Sequence, residues 1–170
     1  GLRFKSTRGR GGIVENIYIS DIDMIHIPTD AIRFNLYYSG KAPVLDEGEE
    51  SDTKTQEEKV VAVTEETPSF RNIFMKNINV ADSETAMFFM GLPEMNLKNI
   101  SIENSVFETK KGITIIDADG ITIKNVNIKA SEDYALTLYN SKHVKTSGFK
   151  FTESKSAIKV LGEKTSNIQF

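Results

Sequence analysis

Arg3 and Lys5 stand two residues apart in the opening stretch GLRFKSTRGR, which holds four cations and no acid. On a strand, residues at that spacing project from one face. Two adjacent cations with one direction can receive a carboxylate or a phosphate, arginine as a bidentate fork and lysine as a point charge. The same charges on an edge strand also serve simply to discourage aggregation. A second pair, Asp117 and Asp119 in IIDADGI, could share one face of a strand or turn and perturb each other's ionisation. Aspartate is equally a turn residue, and the turn reading is favoured for this pair. His26 and His143 have no partner at a metal-ligand spacing, so no metal site is expected. Met87, Phe88, Phe89 and Met90 read as core and stacked surface. Phe88 would face outward if Met87 faces inward, which would leave its ring open to a sugar.

The elements that must carry these residues follow from a repeat. Asn, apolar, any, apolar recurs, with Asn or Asp a few residues later, as in ENIYISDIDMIHI, RNIFMKNINV and KNISIENSVF. The anchoring residues are Ile17, Ile73, Ile100, Ile121, Val144 and Ile168, with spacings of 56, 27, 21, 23 and 24. Between them runs a second phrase of small, apolar, any, apolar: AIRF at Ala31, AMFF at Ala86, GITI at Gly112, ALTL at Ala135 and AIKV at Ala157. The alternation inside each phrase has period 2, and β-branched residues dominate, which is the pattern of strands. Several short strands per repeat of this length predict an all-β, right-handed parallel β-helix of about five to six coils. Asn16, Asn72, Asn99 and Asn167 occupy one repeat position, and Asp21, Asn77, Asn104 and Asn125 another. Stacked coils would place these as hydrogen-bonded ladders.

The chain of 170 residues is long enough for one domain, 1–170. Its 39% hydrophobic and 26% charged residues describe a soluble globular chain, with no apolar run that could span a bilayer. A net charge of −3 gives no general attraction to nucleic acid. The absence of cysteine excludes a disulfide scaffold and thiolate chemistry. The doubled first spacing is explained by residues 40–69, read as a long acidic loop inserted between two coils. It carries nine acids and two lysines between Asp46 and Glu66, and a short element is expected around Val60 to Thr64. Such a loop could wall one end of a groove. A solenoid needs its end capped. Leu2 to Lys5 read as the remnant of an earlier coil, whose open face would be exposed or covered by a second copy of the chain.

The segments LRFKS, GGIVENIYISDIDM and AIRFNLYY, in that order within a β-helical repeat, resemble the C-terminal part of glycoside hydrolase family 28, the polygalacturonases. GLPEMNLKNISIEN is similar to bacterial members. The resemblance implies C-terminal coils of a secreted, periplasmic or extracellular enzyme that hydrolyses galacturonate-containing pectic polysaccharide by inversion, without a cofactor. It implies that Arg3 and Lys5 match the family's Arg-Ile-Lys motif, which holds a uronate carboxylate, with Phe4 in place of isoleucine. Tyr38 matches a cleft tyrosine, or Tyr37 if the register slips by one. The family's catalytic motifs precede the Arg-x-Lys, so no catalytic residue is assigned within 1–170 and the chain alone is expected to be inactive. The alternative is a non-catalytic β-helix that binds carbohydrate or serves adhesion.

Overall fold

The computed structural model describes residues 1–37, 60–132, 134–153 and 156–170. Ten strands appear in these residues and no helix: β1 (Leu2–Lys5), β2 (Ile13–Asn35), β3 (Ser69–Met90), β4 (Leu97–Ile116), β5 (Ala118–Ala130), β6 (Leu136–Tyr139), β7 (Lys142–Ser147), β8 (Lys150–Thr152), β9 (Ile158–Leu161) and β10 (Ser166–Gln169). All their pairings are parallel, in the order β1-β2-β3-β4-β5-β7-β10, with β6, β8 and β9 continuing the later coils. The fold is a parallel β-helix. The predicted anchors lie in one register column, Ile17, Ile73, Ile100, Ile121, Val144 and Ile168.

A strand of 20 or more residues, as in β2, β3 and β4, is a coil that bends without losing its ladder to the neighbour. Each bend needs a residue in the left-handed backbone region, which is strained for most side chains and tolerated by Asn, Asp, His and Gly. One corner is Asn16, Asn72, Asn99, Gly120, His143 and Asn167, and the next is Asp21, Asn77, Asn104, Asn125 and Gly148, all at positive φ. The expected ladders are present. Asn99 donates to Asn72 at 2.8 Å, and Asn72 to Asn16 at 3.4 Å. Asn77 donates to Asp21 at 2.8 Å, and Asn125 to Asn104 at 3.1 Å. His143 fills an asparagine position and takes Asn167 Nδ2 on its Nε2 at 3.2 Å.

The second phrase forms another face. Leu2, Ile32, Met87, Ile113, Leu136 and Ile158 make one inward column, and Phe4, Phe34, Phe89, Ile115 and Leu138 the other, which ends in register at Val160, 48% exposed. Most are fully buried and belong to one continuous core. Gly112, which opens one phrase where the other four have alanine, has its own steric reason: a Cβ there would lie 2.3 Å from the Tyr134 carbonyl oxygen. Phe4 stacks on Phe34 at 4.7 Å between ring centroids, and Phe89 meets Phe34 edge-on at 4.7 Å. Phe70 packs edge-on against Phe4 and Phe34 from a neighbouring face. The core is therefore aromatic at the β1 end and aliphatic toward β9.

Of the inserted loop, 40–59 lie outside the described residues. From 60 onward the chain forms neither strand nor helix until β3 begins at Ser69, so the short element expected around Val60 to Thr64 is absent. Val60 and Val63 are exposed there, so nothing apolar reinforces their strand propensity.

Candidate functional site

Arg3 and Lys5 are exposed on the outward side of β1, while Leu2 and Phe4 turn toward the core. Phe4 thus keeps its ring inward between the two outward cations. Parallel register sets Arg3 beside Arg33 of β2, and Lys5 beside Asn35. The Arg3 column continues through Phe88, Thr114, Thr137 and Lys159. Arg3, Lys5 and Arg33 thus cluster at the β1 end of this outward strip, with Lys159 at the other end. Arg33 is held on two sides: Nη1 donates to the buried Asp30 at 2.6 Å, and the guanidinium lies 4.4 Å from the Phe88 ring centroid. Phe88 is half-buried and faces outward, as predicted from Met87, but its ring face is occupied by Arg33.

One flank of the strip is built by three loops. Ser6 donates to the Asn35 carbonyl at 3.1 Å, and Thr7 forms an isolated antiparallel bridge with Tyr37. The amides of Gly9 and Gly11 both donate to the Glu66 carbonyl, at 3.0 and 2.9 Å. Gly11 has φ of 61°, and a Cβ there would lie 2.2 Å from the Glu65 carbonyl oxygen, so this junction requires glycine. Arg8 then reaches the turn after β3, where Nε donates to Glu94 Oε1 at 2.6 Å and Nη2 to Oε2 at 2.8 Å. The Glu94 side chain is 2% exposed. Burial alone would push its carboxyl up. The Arg8 hydrogen bond, its own backbone amide, the Arg8 charge and the Val61 amide outweigh that and hold it below the usual range. The same pair raises the pKa of Arg8, against the opposing effect of burial. Arg8 also lies 5.2 Å from the Tyr37 ring centroid. The basic segment, the end of the acidic insertion and the turn at 92–96 are thereby latched together beside Asn35 and Tyr37.

Tyr38 lies outside the described residues. Tyr37, its alternative, is half-buried beneath Arg8, and its amide donates to Asn35 Oδ1 at 2.7 Å. Of the two other cations in the opening segment, Arg8 is engaged by Glu94 and Arg10 is exposed. The aspartate pair does not form a shared carboxylate site. Asp117 is buried in a left-handed corner, with its amide on the Tyr139 carbonyl and its carbonyl receiving Leu97. Asp119 takes His143 Nδ1 at 2.7 Å and lies 3.5 Å from Lys142 Nζ. Its burial raises the pKa, and the His143 bond with the Lys142 charge more than reverses this, leaving it lowered. An ionised, paired aspartate at a corner suits a turn better than acid catalysis.

Both histidines have partners that linear spacing hid. His26 Nδ1 meets Asp82 Oδ2 at 2.7 Å, on an exposed part of the surface. The 56-residue gap between the first two anchors would have found this pair, since 26 and 82 differ by the same amount. Among the described residues, no group of three His, Cys, Asp or Glu side chains could hold a metal ion. Arg33 was also missed, although LRFK and the IRFN of AIRFN carry its alignment with Arg3 in plain view. Glu94 had no sequence signal, because its contact to Arg8 depends on the path of two loops.

The geometry defines a parallel β-helix with a cationic outward strip at one end and a latched loop wall beside it. No family model, curated protein or solved structure matches this chain.

Proposed function

We propose that this chain forms the C-terminal coils of a polygalacturonase-like glycoside hydrolase, and that Arg3 and Lys5 hold a carboxylate of a galacturonate-containing polysaccharide. The observation that supports this reading most is the shared outward direction of Arg3 and Lys5 on β1, beside Arg33 and Asn35. The two pair a planar fork with a mobile point charge, the combination that suits a carboxylate flanked by hydroxyls. The catalytic carboxylates of such an enzyme would lie outside 1–170. Hydrolysis would proceed with inversion, one carboxylic acid protonating the leaving oxygen while others activate water. The polymer is extracellular, so the enzyme would act in the periplasm or outside the cell.

The test is binding and turnover with matched sugars. In the longer protein, Arg3→Ala should weaken galacturonate oligomers by roughly 1.5–3 kcal/mol, the range for a charged hydrogen bond. A neutral oligosaccharide should be affected little. Equal losses for both would rule out carboxylate recognition, and hydrolysis of polygalacturonate by the 170-residue chain would overturn the division of the site.

A second reading is a carbohydrate-binding scaffold without catalysis. Asp117 is buried and Asp119 is ion-paired, so neither is placed as a catalytic acid within 1–170, as this reading requires and the first reading equally expects. Paired aspartates on strands preceding β1 in a longer protein would speak for the enzyme. Failure of that protein to release galacturonate would speak for the scaffold.

A further inference from the structure

We infer that Tyr18 and Phe74 form an aromatic shelf that stacks a pyranose ring of a neutral polysaccharide, on a face of the coil separate from the cationic strip. The inference does not depend on the uronate reading and fits the enzyme and the scaffold alike. Tyr18 and Phe74 are register partners on β2 and β3. Both point outward, because Ile17, Ile19, Ile73 and Met75 on either side of them pack into the core. Their rings stack at 5.3 Å between centroids, with planes 25° apart. That separation is close to one rung of a sheet, about 4.8 Å, so the ring faces look along the axis of the coil. Tyr18 is 76% exposed, and Phe74 is half-buried. The left-handed corners at Asp21 and His26 separate this stretch of β2 from Arg33, so the shelf and the strip face different directions.

The surroundings of the two rings select a sugar. The aromatic column stops at Phe74, and the next positions in register are Ser101 on β4 and Thr122 on β5. The face of Phe74 turned away from Tyr18 therefore looks over a step of small hydroxyl side chains. Phe88 differs, since Arg33 occupies its ring face. Lys76 and Glu103 are register partners two residues beyond Phe74 and Ser101, and so stand on the same outward side. A pyranose ring has one face of C–H bonds, which meets the negative face of an aromatic ring, and a rim of hydroxyls that need donors and acceptors. Resting on Phe74, it sits above Ser101 with Lys76 and Glu103 beside its rim. The apolar area is too small for a protein partner: two aromatic side chains offer about 300–500 Å², against roughly 800 Å² per partner in a stable interface. The Glu103 carboxylate beside the step opposes the phosphates of a nucleic acid stacked by its bases.

The experiment is affinity gel electrophoresis of the 170-residue chain in gels holding soluble galactan or hydroxyethylcellulose, both neutral. At least one of the two should retard the wild type. Phe74→Ser, which extends the serine column by one rung, should bind about tenfold weaker, and Phe74→Tyr should bind as the wild type does. Tyr18→Ala removes the ring behind Phe74 at a more exposed position and should weaken binding severalfold. Phe74→Ser should keep whatever affinity the wild type has for galacturonate oligomers. Wild-type retardation of Phe74→Ser, or no retardation of the wild type by either polysaccharide, would overturn the shelf and leave the reading of Arg3 and Lys5 standing. Loss of galacturonate and neutral polysaccharide together in both Phe74→Ser and Tyr18→Ala would also overturn it, by placing the two ligands on one surface. Oligothymidylate binding that depends on Phe74, with no polysaccharide bound, would give the shelf to nucleic-acid bases instead.

Discussion

Two arginine–glutamate pairs in this molecule close to the same 2.6 Å, and they do different work. Arg8 and Glu94 are 86 residues apart and join loops that no strand ladder connects. Arg71 and Glu15 sit in register on β3 and β2, where the ladder already fixes their backbones. The Glu94 side chain is 2% exposed, and that of Glu15 is 36% exposed. Equal length therefore says little about energetic weight. A buried carboxylate left without its cation is costly, whereas an exposed pair exchanges its partner for water. The latch should govern the order of the loop wall, and the surface pair should merely decorate a stable sheet.

The largest expected effect comes from breaking the latch. Arg8→Ala should destabilise by up to roughly 3–5 kcal/mol, because Glu94 would lose its cation and keep only the backbone amides of Glu94 and Val61. Urea denaturation would measure it, and a loss under about 1 kcal/mol would remove the contrast on which the comparison rests. The effect also has a pH signature. Folding holds the Glu94 carboxyl below its ordinary value of 4.5, so its contribution is fully present above that value. It is lost as pH falls through the lower folded value, where protonation spares the chain a buried charge. The stability gap between wild type and Arg8→Ala should accordingly narrow in acid, and a gap that widened below the ordinary value would contradict this assignment.

A middle-sized effect belongs to the corners. Asn72 combines a positive φ with ladder bonds to Asn16 and Asn99. Asn72→Ala should cost about 1–2 kcal/mol from backbone strain and lost bonding. Asn72→Gly should recover part of this, since glycine removes the strain alone. Equal losses in thermal denaturation would mean that the hydrogen bonds, not the backbone, set the cost. The smallest effect is Arg71→Ala, expected below about 1 kcal/mol and shrinking further with added salt. A double-mutant cycle with Glu15→Gln gives the coupling directly. A value matching that of the Arg8–Glu94 cycle would show burial to be irrelevant here.

Residues were legible in the sequence where their contacts repeat. The anchors, the small-residue positions and the corners, most of them asparagine, recur from coil to coil, so each copy strengthened the others. The outward direction of Arg3, Lys5 and Phe88 followed from the same alternation. Glu94 was not legible, because its position depends on a turn at 92–96 that occurs once. His26–Asp82 was open to the repeat, since the offset of 56 that relates Ile17 to Ile73 also relates these two, but not to a search for partners nearby in the chain. The bond of His143 to Asp119 was not legible, because it crosses from one column to the next. Periodicity reveals what a coil shares with its neighbours and is silent on what a single coil adds.

The change from Phe4, Phe34 and Phe89 to Ile115 and Leu138 along one inward column gives the stack a direction. A rung lined by a phenylalanine needs more interior room than one lined by an isoleucine or valine, and close-packed interiors resist both gaps and crowding. Transplanting a β3-type rung to the far end would crowd it, and the reverse exchange would leave a void. Shuffled or duplicated coils of this protein would consequently fit only beside neighbours of similar girth, which ties the repeats to one order of assembly.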